Sequence, residues 1–309
     1  MAPPLNTASA RVVDPILSHH VQGYRQQTLV GELLFPRVPV AVSGGKVLQF
    51  GKEAFMLYNA ARAPGAATKR VQFGYEGKPY ALEQERLEGK VPREWMRDAS
   101  AVPGIDLGQR AVNGVMKILT LALEFQQSRI ARDPDNYDDN HKLALSGGDK
   151  WSSDTGKPVT DISDGKEGVR STIGVEPNVC ILSPSAWGAA KENPQVLERR
   201  KYVEKGPVTV AEFAALIEVD HVMIGKAIYH NGLEFQDVWG NDCVLAYAPQ
   251  TPSGMEEPSY GYTYLMEGNP LVETPYYENN PASWFYPTTF ERAPVLTGES
   301  AGFLIQNCK

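Results

Sequence analysis

The chain has 309 residues, of which 42% are apolar and 22% charged, an ordinary composition for a soluble globular protein with one or two domains. No apolar run approaches the roughly 18 residues of a membrane span, and Met1 to Thr7 lack a basic segment followed by an apolar one, so a protein made and kept in a cytoplasm is expected. The net charge of −7 is uneven: residues 1–100 hold 13 Lys/Arg and 9 Asp/Glu, residues 101–309 hold 17 and 28. An acidic chain without a Lys/Arg run is a poor tight binder of DNA. The split is open to two readings: chance, or a basic part of one copy lying on the acidic part of a neighbour.

Residues 1–45 are interrupted by Pro3, Pro4, Pro15, Pro36 and Pro39, yet carry apolar side chains such as Leu17, Val21, Val30, Leu34 and Phe35. An extended arm that buries them against something else fits both facts, with a short helix capped by Asp14 and opened by Pro15. Residues 46–93 read as strands: Lys46–Phe50 and Lys69–Tyr75 alternate between faces around the turn signal Pro64-Gly65, and Tyr80–Glu88 is mostly polar. Such a hairpin has too little apolar content for a core of its own and needs a partner surface. Residues 106–132 carry the strongest helical pattern, with Asp106 as N-cap, Val112, Val115, Met116, Leu119, Leu123, Gln126 and Ile130 at helical spacing, and Asp133-Pro134 as the stop. At 1.5 Å rise this is a rod of roughly 40 Å, suited to bracing an extended subunit.

From residue 164 the pattern becomes α/β. Asp164 with Glu167 predicts a capping-box start for a helix to Ile173, Ser183-Pro184 opens another, Asn193-Pro194 breaks it before a further helix towards Tyr202, and Thr209 with Glu212 caps a helix through Ile217. Strands are expected at Asn178–Leu182, His221–Ile224, Cys243–Tyr247, Tyr260–Met266, Leu271–Tyr276, Ser283–Pro287 and Ala301–Gln306.

No constellation that chemistry requires is present. Asp133, Asp135, Asp138 and Asp139 lack the glycine and distal glutamate of a calcium loop and read as a solvated helix end. His19, His20, His141, His221 and His230 lack ligand-spaced partners. Ser163 and Lys166 match a serine-nucleophile spacing, but helix capping explains Ser163 or Asp164 better. Cys180, Cys243 and Cys308 are too widely spaced for a zinc site or a disulfide framework; Cys180 and Cys243 read as buried, and Cys308, beside the C-terminus, is free to be exposed. Neither catalytic residues, metal nor cofactor is expected, and the chain is not read as an enzyme.

The order of these elements resembles the major capsid proteins of tailed bacteriophages with the Hong-Kong-97-type fold. The similarity is carried along nearly the whole chain by Gly31–Val40, Tyr58–Gly65, Asp237–Asp242, Ser259–Tyr264, Glu291–Leu296 and Ala301–Asn307. It implies an α+β fold with an N-terminal arm (1–45), an extended β-hairpin loop (46–93), a peripheral domain (94–159 and 281–309) holding the long spine helix 106–132, and an α/β axial domain (160–280). It also implies hexamers and pentamers of the chain forming an icosahedral head around double-stranded DNA, which is contacted weakly and without sequence specificity. Phe35, Arg37, Tyr58, Arg62, Lys69 and Arg70 become the expected contacts between subunits. Only about 45 residues precede the hairpin, too few for a large fused scaffolding segment, so the resemblance implies a separate scaffolding protein or assembly without one, with a portal, a possible decoration protein and no membrane partner. The same fold also serves encapsulin-like compartment shells, the alternative reading.

Overall fold

The computed structural model describes residues 14–22, 29–48, 77–100, 106–200, 206–249 and 259–309. The Asp14 carboxylate accepts the Leu17 N–H at 3.0 Å and opens α1 (Pro15–Gln22). There follow α2 (Gly31–Leu34), β1 (Arg37–Val40), β2 (Gly44–Leu48), β3 (Gly77–Ala81), β4 (Glu83–Pro92) and α3 (Arg93–Ser100). The long helix α4 (Leu107–Arg132) starts where the sequence places it, with Asp106 accepting the Gln109 N–H at 3.0 Å.

Beyond α4 come β5 (Lys142–Ala144), α5 (Pro158–Ile173), β6 (Val179–Leu182), α6 (Pro184–Glu192), α7 (Pro194–Arg200), α8 (Val210–Ile217) and β7 (His221–Ile224). The chain continues through β8 (Ile228–His230), β9 (Phe235–Asp237), β10 (Cys243–Ala246), β11 (Gly261–Met266), β12 (Leu271–Val272), β13 (Tyr276–Glu278), β14 (Ser283–Leu296) and β15 (Gly302–Gln306). Ser183 caps α6 through the Ala186 N–H, and Thr209 and Glu212 form the expected capping box of α8. The helix expected to begin at Asp164 begins two turns earlier, with Pro158 in its first turn. Proline at that position lacks only an N–H that would have no helical partner, so it outcompetes the Asp/Glu pair as the start.

Two sheets organise the fold. A six-stranded sheet is built around β14, which pairs antiparallel with β4 over ten positions, from Ser283↔Pro92 to Arg292↔Glu83, and with β11, β12 and β13 on its other side; β1 adds to β11 in parallel. Residues 83–92, expected in the projecting hairpin, therefore belong to this sheet, and the hairpin base is β2 paired with β3. α4 packs across the sheet, burying Val112, Met116, Leu119 and Leu123 with Val91, Tyr286 and Phe290. Each such large apolar side chain contributes about 1.5–3 kcal/mol on burial.

The second sheet has the order β5-β15-β10-β6-β7, and its central strands β15, β10 and β6 are buried on both faces. Cys180, Leu182, Cys243, Leu245, Phe303 and Ile305 face α5, α6, α7 and α8, whereas Val179, Ile181, Val244 and Leu304 face the arm and Trp239. This two-residue alternation between two cores is why these strands read as unbroken apolar runs. A boundary at residue 281 cuts through both sheets: β11, β12 and β13 pair with β14, and β15 lies between β5 and β10. Cys308 is fully buried, its N–H bound to the Asn241 carbonyl at 2.9 Å, which corrects the expected freedom of that side chain.

Candidate assembly site

A polar stripe runs down the second half of α4 beside its apolar one: Thr120, Glu124, Gln127 and Ser128 are all buried. Glu124 is its centre. One carboxylate oxygen accepts the Val30 N–H at 3.0 Å and the Trp239 indole N–H at 2.7 Å; the other accepts the Gly31 N–H at 2.8 Å. Burial raises the Glu124 carboxyl above its usual value, and these three donors offset only part of that. Gly31 is required by proximity, since a Cβ there would collide with the Gln127 side chain and lie 2.8 Å from Glu124 Oε2. Gln127 Nε2 donates to Thr263 Oγ1 at 2.9 Å, which donates to the Phe35 carbonyl at 3.0 Å, and Ser128 donates to the Val238 carbonyl at 2.7 Å. One helix face thus fixes the arm, the six-stranded sheet and the Trp239 loop together.

The residues expected at subunit contacts divide. Phe35 is fully buried inside the protomer, its ring 5.5 Å from Tyr260, which shares a 2.5 Å hydroxyl contact with Tyr137. Its side chain is used within the chain. Arg37, on β1, is partly exposed and pairs with Glu32. Tyr58, Arg62, Lys69 and Arg70 lie outside the described residues.

Between the hairpin base, the end of α4 and β14 runs a groove of about 490 Å³, lined by Tyr80, Glu83, Gln126, Arg129, Asp133 and Pro294 among others. Close by, Arg292 is fully buried. Its guanidinium donates to Glu85 Oε2 and the Leu119 carbonyl, each at 2.9 Å, and to Gln126 Oε1 at 3.3 Å, and it lies over the Phe290 ring. Desolvation lowers the Arg292 pKa, opposed by the Glu85 charge. Sequence reasoning did not single out Glu124, Trp239 or Arg292 as site residues, although Trp239 and Arg292 stand within the strings that carry the resemblance.

Residues weighed for chemistry have structural partners. The Lys166 ammonium donates to the Ile217 and Glu218 carbonyls that end α8, at 3.1 and 3.0 Å. Asp133 accepts the Asp135 N–H, Asp139 pairs with Lys142, and Asp138 meets His141 Nδ1 at 2.6 Å. Among the described residues no group of three or more His, Cys, Asp or Glu is arranged to hold a metal ion, and no helix is long and apolar enough to cross a membrane. Cys180 and Cys243 bring their sulfurs to 3.7 Å as free thiols.

No protein-family model matches the chain. The major capsid protein of Burkholderia phage BcepMu is 37% identical over 302 residues, covering 96% of each chain. The chain belongs to the phage major capsid proteins. A crystal structure of a phage-related protein from Bordetella bronchiseptica is 49% identical, with a TM-score of 0.84 and coverage of 97% of this chain and 98% of that one. The fold is the Hong-Kong-97-type fold, α+β as expected, shared with solved phage capsids. The encapsulin of Synechococcus elongatus, 14% identical with a TM-score of 0.50 over 96% and 95% of the two chains, is a relative in fold alone.

Proposed function

We propose that this capsid-family chain is the shell subunit of a phage head, assembling as hexamers and pentamers into an icosahedral particle that encloses double-stranded DNA. The observation that carries the reading is the near end-to-end 37% identity with a phage major capsid protein. The role is mechanical and not enzymatic: the buried polar contacts around Glu124 and Arg292 stiffen the body on which the paired strands β2 and β3 stand. In this reading α4 with the six-stranded sheet is the peripheral body, and the five-stranded sheet with its four helices faces the axis. A separate scaffolding protein, a portal and a decoration protein are the expected partners, and the acidic surface keeps contact with packaged DNA weak.

Size-exclusion chromatography and negative-stain electron microscopy on the expressed chain, alone and with its neighbouring phage genes, test this. Hollow shells, tubes, or discrete pentamers and hexamers support it; shells that take up a protein cargo and never DNA support the encapsulin alternative; a monomer under every condition rejects both. Reversing the charges of Arg62, Lys69 and Arg70 together is expected to weaken assembly without unfolding the subunit. Unchanged assembly removes these residues from the contact.

A further inference from the structure

We propose that the turn between β8 and β9 is a self-modification site, in which the backbone nitrogen of Gly232 attacks the side-chain amide of Asn231, with His230 as the base, and ammonia leaves. The chain holds two Asn-Gly pairs, Asn113-Gly114 and Asn231-Gly232. A glycine after asparagine leaves the attacking nitrogen without a neighbouring Cβ in the way. The first pair lies inside α4, where the Gly114 N–H is turned towards a carbonyl of the preceding helical turn. The second sits at the exposed tip of the hairpin, open to water, and a Cβ on Gly232 would meet nothing within 4 Å.

Three hydrogen bonds set up the chemistry. The Gly232 N–H donates to His230 Nδ1 at 3.1 Å, within the reach of a general base. An imidazole that accepts there carries its proton on Nε2 and offers the Nδ1 lone pair to this N–H. The Asn231 carboxamide oxygen accepts the Leu233 and Glu234 N–H groups at 2.8 and 2.9 Å. Two backbone donors at that range form an oxyanion site for the charge that develops on this oxygen during attack. The tip is ordered around them: the Asn231 N–H donates to the Glu234 carbonyl at 3.1 Å, Gly232 takes a φ of +99°, and the His230 ring stands edge-on to Phe235 at 4.8 Å. Nucleophile, base and oxyanion donors thus all come from residues 230–234 and are held before reaction begins.

As the Gly232 nitrogen bonds to Asn231 Cγ, its proton passes to His230 Nδ1 and the carbonyl electron pair moves onto Oδ1. The pair returns, the Cγ–Nδ2 bond breaks, and the imidazolium proton leaves with Nδ2 as ammonia. A cyclic imide remains. Water opens it at either carbonyl, giving aspartate or isoaspartate at position 231, so the balance needs water alone. The reaction is a single event on the chain itself and not turnover of a substrate. Either product adds a negative charge to the tip. Isoaspartate also lengthens the backbone by one carbon, against the register Ile228↔Asp237, Tyr229↔Gln236 and His230↔Phe235. Leu233 and Phe235, 92% and 71% exposed, are displaced with it, so an aged subunit presents a different hairpin from a new one.

The test times amide-to-acid conversion at both Asn-Gly pairs by peptide mass spectrometry, on freshly synthesised chain kept folded or held in guanidinium at the same neutral pH. In the folded chain Asn231 is expected to convert at least about tenfold faster than in guanidinium, with ammonia released in equal amount. Asn113 is expected to convert only in guanidinium. His230→Gln keeps an acceptor for the Gly232 N–H but cannot take its proton. It is expected to melt with the wild type and to slow conversion in the folded chain by at least about tenfold. Conversion of Asn231 that is slower in the folded chain than in guanidinium overturns the proposal, as does a His230→Gln chain that converts at the wild-type rate. Should His230→Gln melt early, His230→Ala with added imidazole decides: a restored rate supports the base, and an unchanged one removes it.

Discussion

The Trp239 indole donates its N–H to Glu124 at 2.7 Å in a site closed to solvent, and the same carboxylate holds the backbone of the arm at Val30 and Gly31. Glu124→Ala orphans three buried donors at once, each costing about 1–3 kcal/mol. Trp239→Phe removes one donor together with its share of the site and leaves the arm bound. We expect Glu124→Ala to lower stability by at least about 3 kcal/mol and Trp239→Phe by clearly less, read from urea denaturation midpoints. Equal losses would show that the indole packing, and not the carboxylate, holds the arm.

The same carboxyl gives a pH signature. Burial raises its folded-state pKa above the ordinary 4.5, so the folded chain binds that proton more tightly than the unfolded one. Its contribution is whole below the unfolded value and fades as pH rises through the folded one. The melting-temperature advantage of wild type over Glu124→Gln is expected to shrink from about pH 4.5 towards neutrality. An advantage that grows with pH contradicts the assignment.

Arg292 and Glu85 predict an asymmetry. Arg292 is wholly buried while Glu85 keeps partial access to water. Glu85→Ala leaves a buried cation without its counter-charge, at a cost of about 3–5 kcal/mol. Arg292→Met removes the cation, keeps volume near Phe290 and leaves a carboxylate that water can reach, at about 1–3 kcal/mol. Denaturant titrations of the two variants check the order, and a larger loss for Arg292→Met reverses the argument.

The three cysteines give a chemical test of the fold. Cys180, Cys243 and Cys308 are buried free thiols, and burial raises the Cys243 and Cys308 thiols well above the usual range. Because the thiolate is the reactive form, an aromatic disulfide reagent is expected to label none of them in the native protein and all three in guanidinium. Rapid native labelling of Cys308 would show that the strand end frays.

Much of this fold was legible because local chemistry decides it. Asp106, Ser183 and Thr209 are caps whose side chains reach N–H groups three residues on, and such contacts are written in adjacent residues. β14 was read too short, as Ser283–Pro287, because Pro287 and Pro294 look like breakers. In the sheet Pro287 accepts the Glu273 N–H at 2.9 Å just past the end of β12, so the return bond it cannot donate is lost only at a strand end, and Pro294 lies opposite Thr263, whose N–H goes to Pro36 on the other side. The arm's fixation was illegible for another reason: Glu124 is 93 residues from Gly31 and 115 from Trp239. On a helix with one apolar stripe, a glutamate reads as solvent-facing until the partners that fill the second stripe are known.

The place of β15 has a consequence for synthesis. It pairs on one side with β10 and on the other with β5, inside a sheet whose other strands all precede it in the chain. While residues 302–306 remain within the ribosome, β5 and β10 face an empty slot and the Phe303, Leu304 and Ile305 side chains are missing from both cores. Both cores are therefore completed only when translation has passed residue 306 and β15 has entered its slot.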